Sequence, residues 1–77
     1  MLAAEVSLYP QKSKECAEVI KRSVEVLGEQ GLRYEVGPVS TFVEGDSDRV
    51  WSGLRSVFEA AGRQGCEVNM VVQMRET

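Results

Sequence analysis

The chain has 77 residues, 43% hydrophobic and 27% charged, with a formal net charge of −3 and a sequence pI of about 4.9. This is one domain, residues 1–77, with a marginal core, because so small a domain buries only about 60% of its unfolded surface. An acidic chain with no basic run longer than Lys21-Arg22 repels phosphate backbones, so nucleic acid is a poor partner; without histidine, no Cys/His zinc site can form in one chain.

The start, Met1-Leu2-Ala3-Ala4-Glu5, turns charged too soon for a signal peptide, and no apolar run is long enough to span a bilayer. A cytosolic protein without membrane contact is expected. Cys16 and Cys66 read as small buried apolar residues rather than a redox pair, and no disulfide framework is expected. With no staple available, a homo-oligomer is the expected source of extra stability.

Residues 3 to 9 alternate. Ala4, Val6 and Leu8 point one way and Glu5, Ser7 and Tyr9 the other, which predicts a half-buried strand ended by Pro10. Ser13 can cap a helix that runs to about Leu27, with Cys16, Ala17, Ile20, Val24 and Leu27 as its core stripe. Lys14, Glu18, Lys21, Arg22 and Glu25 cover its outside, and Glu18 with Arg22 is a favourable i,i+4 pair. Gly28 and Gly31 punctuate its end.

Residues 32 to 37 alternate again, with Leu32, Tyr34 and Val36 on one face and Arg33 and Glu35 on the other. Gly37-Pro38 is a turn signal, so this strand pairs in a hairpin with the next, residues 39 to 44. There Val39, Phe42 and Val43 are strand formers, Gly45 can break the strand, and Asp46 or Ser47 can cap a second helix. That helix ends near Gly62 or Gly65. Its stripe is Val50, Leu54, Val57, Phe58 and Ala61, with Trp51 at the core boundary and Gly53 placed for close packing against the sheet. Residues 66 to 75 form the last strand. Val68, Met70, Val72 and Met74 face inward, the methionines as core filler, and Asn69, Val71, Gln73 and Arg75 face outward.

The order β-α-β-β-α-β with right-handed crossovers predicts an α+β, ferredoxin-like sandwich: a four-stranded antiparallel sheet, order 4-1-3-2, with both helices on one face. The other face then carries Glu5, Ser7, Tyr9, Ser40, Phe42, Glu44 and the outward residues of the last strand. It is either a solvated face or a dimer interface enclosing a polar pocket, and the small size of the domain favours the latter. Strict alternation sets Thr41 and Glu44 on opposite faces, so one site can use both only if a bulge or the turn at Gly45 re-aims one of them.

Ser7-Leu8-Tyr9-Pro10 near the start, with Thr41-Phe42-Val43-Glu44-Gly45 about thirty residues later, resembles the small thiamine-binding protein family. The resemblance covers nearly the whole chain. It implies a ferredoxin-like fold assembled through its sheets into homodimers or homotetramers. It also implies binding of thiamine or its hydroxymethylpyrimidine portion without catalysis and without a cofactor. Carried over position by position, it points to Ser7, Tyr9, Thr41 and Glu44. The chemistry suits a pyrimidine: Glu44 can accept from the amino group, the Ser7 and Thr41 hydroxyls can complete the ring's hydrogen bonds, and Tyr9, Tyr34 or Phe42 can stack on it. A cationic thiazolium suits an acidic protein and an aromatic face. The last strand matches the family more loosely.

Two other readings stand beside this one. The chain could be a structural or regulatory oligomerisation module with no small ligand. It could be a small enzyme on the same fold, although it has no histidine and no phosphate loop, and Glu44 could act as a base only if burial raised its pKa.

Overall fold

The computed structural model describes residues 1–10 and 14–77. Six elements follow one another: β1 (Leu2–Pro10), α1 (Lys14–Glu29), β2 (Arg33–Val36), β3 (Thr41–Gly45), α2 (Ser47–Arg63) and β4 (Val68–Glu76). The strands form one antiparallel sheet in the order β2-β3-β1-β4, the predicted order read from its other edge. β1 is central. It pairs with β3 from Leu2 to Val6 and with β4 along its whole length.

The period-2 pattern decides which face is buried. Leu2, Ala4 and Val6 of β1 and Val43 of β3 turn toward the helices, where they meet Leu27, Leu32, Val50, Leu54 and Val57 in one cluster. Each such side chain withdrawn from water stabilises the fold by about 1.5–3 kcal/mol. α1 stops where Gly31 takes φ +74°, a left-handed conformation suited to glycine, and the Leu32 amide donates to the Leu27 carbonyl (3.3 Å). The expected cap of α1, Ser13, lies outside the described residues. At the start of α2, Asp46 occupies the cap position without a side-chain cap bond, while the Ser47 hydroxyl donates instead to Glu76 at the end of β4 (2.9 Å).

Several expectations need correction. Ala17 is exposed, whereas Ser23 of the same helix is buried, its hydroxyl donating to the Val19 carbonyl (2.8 Å). Phe58 is 45% exposed and Trp51 59% exposed, because both lie on a flank of α2 rather than on its buried face. Gly53 packs on Leu27 and Leu32 rather than on the sheet: a Cβ there would stand 2.7 Å from Leu32 and 3.0 Å from Leu27. The helical ion pairs among the described residues centre on Glu59, which meets Arg55 (2.6 Å) and Arg63 (3.6 Å); Glu18 and Arg22 are not among them.

The largest correction concerns the cysteines. Both are buried, as expected, but they are bonded to each other, with Cα atoms 5.7 Å apart. The fold lays the first turn of α1 beside the segment that enters β4, so residues fifty positions apart in sequence meet. The domain therefore has the staple that its sequence seemed to lack. Among the described residues, no helix is long and apolar enough to cross a membrane.

Candidate functional site

β1, β2 and β3 each send alternate side chains toward the helices, and near the hairpin end of the sheet α1 does not cover them completely. The result is a cleft of about 550 Å³, within the usual range for small-ligand sites. Val6 and Leu8 form its floor, Tyr34, Val36 and Thr41 one wall, and Ile20 and Val24 of α1 the other. Val36 lines it and is 65% exposed. Lys21 and Glu25 stand at the α1 rim, and the turn from Gly37 to Ser40 closes the opposite end. The Gly37 amide donates to the Ser40 carbonyl (2.9 Å) and so fixes that turn.

Tyr34 owes its position to a glycine. A Cβ at Gly28 would lie 3.0 Å from Cε1 of Tyr34, so the bare backbone of α1 lets the ring lie against the helix. Read from sequence, Gly28 only punctuates the helix end; in three dimensions it sets the wall of the cleft.

The predicted site residues divide between the two faces. Tyr34 and Thr41 come together in the cleft. Ser7, Tyr9, Phe42 and Glu44 lie on the open face of the sheet, the partner register running unbroken from Leu2 with Gly45 to Val6 with Thr41. With no bulge in that ladder, Thr41 and Glu44 stay on opposite faces. The four open-face residues do not converge within one chain either. Glu44 stands opposite Ala3, six residues from Tyr9 along β1, a separation of about 20 Å at ~3.3 Å per residue. Glu44 is also engaged, its carboxylate 3.5 Å from Arg33. Phe42 borders two shallow hollows on this face, one of them with Glu5, Glu35 and Ser40. There the Ser40 hydroxyl donates to Glu5 (2.5 Å). Ser40 thus borders both the cleft and the open face.

Sequence reasoning missed the α1 side of the cleft. Ile20 and Val24 read as core and Lys21 and Glu25 as solvated surface, yet all four line it. A helix stripe that is half-buried rather than fully buried is the trace they leave, and it is visible only after folding. What the cleft offers chemically is an apolar slot with an aromatic wall, the Thr41 hydroxyl at one end and a carboxylate and an ammonium at the rim. That suits a flat, amphipathic heterocycle more than a phosphate or a polyanion.

A domain of unknown function, DUF77, from Bacillus cereus is 28% identical and superposes with a TM-score of 0.85, covering 99% of this chain and 75% of its own. A hypothetical protein from Methanocaldococcus jannascii is 23% identical, with a TM-score of 0.84 over 99% of this chain and 79% of its own. A Thermotoga maritima protein provisionally named for thiamine biosynthesis or salvage is 22% identical, with a TM-score of 0.81 over 99% and 83%. The last two establish the shared fold. No curated protein matches the sequence. The family model described as thiamine-binding protein matches residues 4–76, nearly the whole chain, and the protein belongs to that family.

Proposed function

We propose that the protein binds thiamine or its hydroxymethylpyrimidine portion, without catalysis, as a homo-oligomer in the cytosol. Family membership supports the ligand class, and the cleft of Tyr34 and Thr41 is the observation that carries the site. The pyrimidine ring enters the slot between α1 and the β2–β3 hairpin and lies against Tyr34. The Thr41 hydroxyl serves its ring nitrogens, and Glu25 accepts from its amino group or faces the cationic thiazolium. In this reading the cleft holds its ligand by contacts alone, without a nucleophile or a base. In the cytosol the thiol pool would hold Cys16 and Cys66 reduced, and the bridged chain is then the oxidised form.

Titration calorimetry with thiamine and with hydroxymethylpyrimidine tests this. Tyr34→Ala and Thr41→Val should each weaken binding about tenfold, ~1.4 kcal/mol. Glu44→Ala, on the far face of the sheet, should leave it unchanged. Binding lost in Glu44→Ala and kept in Tyr34→Ala would move the site to the open face, where Ser7, Tyr9, Phe42 and Glu44 could converge only with a second copy. No binding of either compound at millimolar concentration would refute the ligand class.

A further inference from the structure

The α1 wall of the cleft belongs to the less buried half of that helix. Ser23 and Leu27, in its C-terminal half, are buried, and Gly53 of α2 lies against Leu27. Among the described residues of its first two turns, Cys16 alone is buried, with Ala17 and Glu18 exposed and Ile20 half-buried. At 3.6 residues per turn, Cys16, Ile20 and Val24 follow one another along one side of the helix. Ile20 and Val24 line the cleft, and Lys21 and Glu25 stand at its rim. The bond from Cys16 to Cys66 is thus attached one turn before that wall begins.

The other end of the bond is firmly held. The Cys66 amide donates to the Ala61 carbonyl (3.1 Å) and the Gly65 amide to the Gly62 carbonyl (3.0 Å), folding the chain back at the end of α2. β4 then begins with Val68 opposite Pro10 of β1, and Met70 lies opposite Leu8, a residue of the cleft floor. Bridge and cleft therefore share one end of the sheet. Cys16 and Cys66 are only 7% and 8% exposed, so the bond is shielded from solvent while the first turn of α1 stays in place.

We propose that the Cys16–Cys66 bond is a redox gate on the ligand cleft: formed, it fixes the first turns of α1 and shapes the slot; reduced, it frees that wall and weakens ligand binding. The proposal rests on the thiamine reading and adds regulation to the same cleft. The step is thiol–disulfide exchange with a dithiol reductant. One thiolate of the reductant attacks a bridge sulfur, forming a mixed disulfide and expelling the other cysteine as a thiolate that takes up a proton. The second thiolate of the reductant attacks the mixed disulfide, closes the reductant's own S–S bond and releases the remaining cysteine, which is protonated in turn. Two electrons pass from the dithiol to the bridge, and the dithiol's two protons end on the cysteines. A cleft whose wall is ordered in advance binds without the cost of ordering it, and the affinity difference arises there. Linkage makes the effect reciprocal: a ligand that prefers the bridged form favours the bridge by the same factor.

The test uses the full chain with thiamine as the probe. Calorimetry on the bridged and the dithiothreitol-reduced protein should give a dissociation constant about fivefold or more larger after reduction. At a fixed ratio of reduced to oxidised dithiothreitol, saturating thiamine should raise the ratio of bridged to reduced chain by that same factor, read by alkylation and mass. Amide hydrogen exchange followed by NMR should quicken on reduction in residues 16–25, while amides of β1 and β3 keep their protection. Equal affinity in the two redox states overturns the gate and leaves the thiamine reading standing. Exchange that quickens together across α1 and the sheet also overturns it, because the bridge then holds the whole fold and not one wall. No binding in either state overturns the thiamine reading, and the gate with it.

Discussion

Reducing the Cys16–Cys66 bridge should remove a large share of the stability of the oxidised protein. The bond closes a loop with a sequence separation of 50. The chain-entropy relation for a loop of that length gives a denatured-state restriction of about 14 cal/mol/K, or ~4 kcal/mol at 25 °C. A domain of this size is expected to have roughly 4–12 kcal/mol of total stability, so the bridge matters to whether the chain is folded at all. Urea unfolding of the oxidised and dithiothreitol-reduced protein, followed by circular dichroism, measures the difference. With a slope near ~1–1.5 kcal/mol/M, the midpoint should fall by about 3–4 M. The Cys16→Ala/Cys66→Ala variant should unfold near the reduced protein and ignore the reductant. A midpoint that moves by less than about 0.5 M on reduction would refute the reasoning, because loop closure could not then be what the bridge supplies.

Two further outcomes follow from packing and charge. Gly53→Ala gains about 1 kcal/mol of helix propensity, but its Cβ meets Leu32 at 2.7 Å and Leu27 at 3.0 Å. The net result should be a loss of about 1–2 kcal/mol by chemical denaturation, and a gain would show that Leu32 yields freely. The Glu59 carboxyl titrates below its ordinary 4.5, chiefly through its hydrogen bond and charge contact with Arg55 and further through Arg63. A folded-state pKa depressed in this way lends stability above the unfolded value, which is lost as pH falls through the folded one. The Glu59 midpoint followed by carbon NMR should therefore lie below 4.5 and rise in Arg55→Gln, and an unchanged midpoint in that variant would assign the shift elsewhere.

The architecture was legible because alternation is a strong signal in short strands. Val6 against Ser7, Tyr34 against Glu35 and Val43 against Glu44 assign their faces without ambiguity, and the order of elements then fixes the sheet. The conflict between Thr41 and Glu44 was legible for the same reason, and the unbroken ladder beside β1 leaves it standing. Phe58 was harder. A helix stripe has soft borders, and whether a residue on its margin is covered depends on how far the neighbouring strand extends beneath it. The cleft was not legible at all. It is a gap between α1 and the hairpin, set by where Gly28 lets Tyr34 lie, and periodicity carries no information about gaps between elements. The bridge was hidden likewise, since two cysteines fifty positions apart say nothing of their distance in space until the first turn of α1 and the entry to β4 are placed together.

The pairing of β1 with both β3 and β4 also has a consequence for how the molecule is made. Of the six elements, β1 leaves the ribosome before the others, and its longest ladder is with β4, which follows all of them. Until Val68–Glu76 has been synthesised and is clear of the exit tunnel, one side of β1 has no backbone partner. Its apolar face meanwhile has only the helices to cover it. The sheet thus closes late and over a long stretch of chain, which raises the contact order and slows folding relative to a helical bundle of equal size. A nascent chain stalled before β4 is an incomplete sheet with an open central strand, a form suited to capture by a chaperone or to pairing with a neighbouring nascent chain.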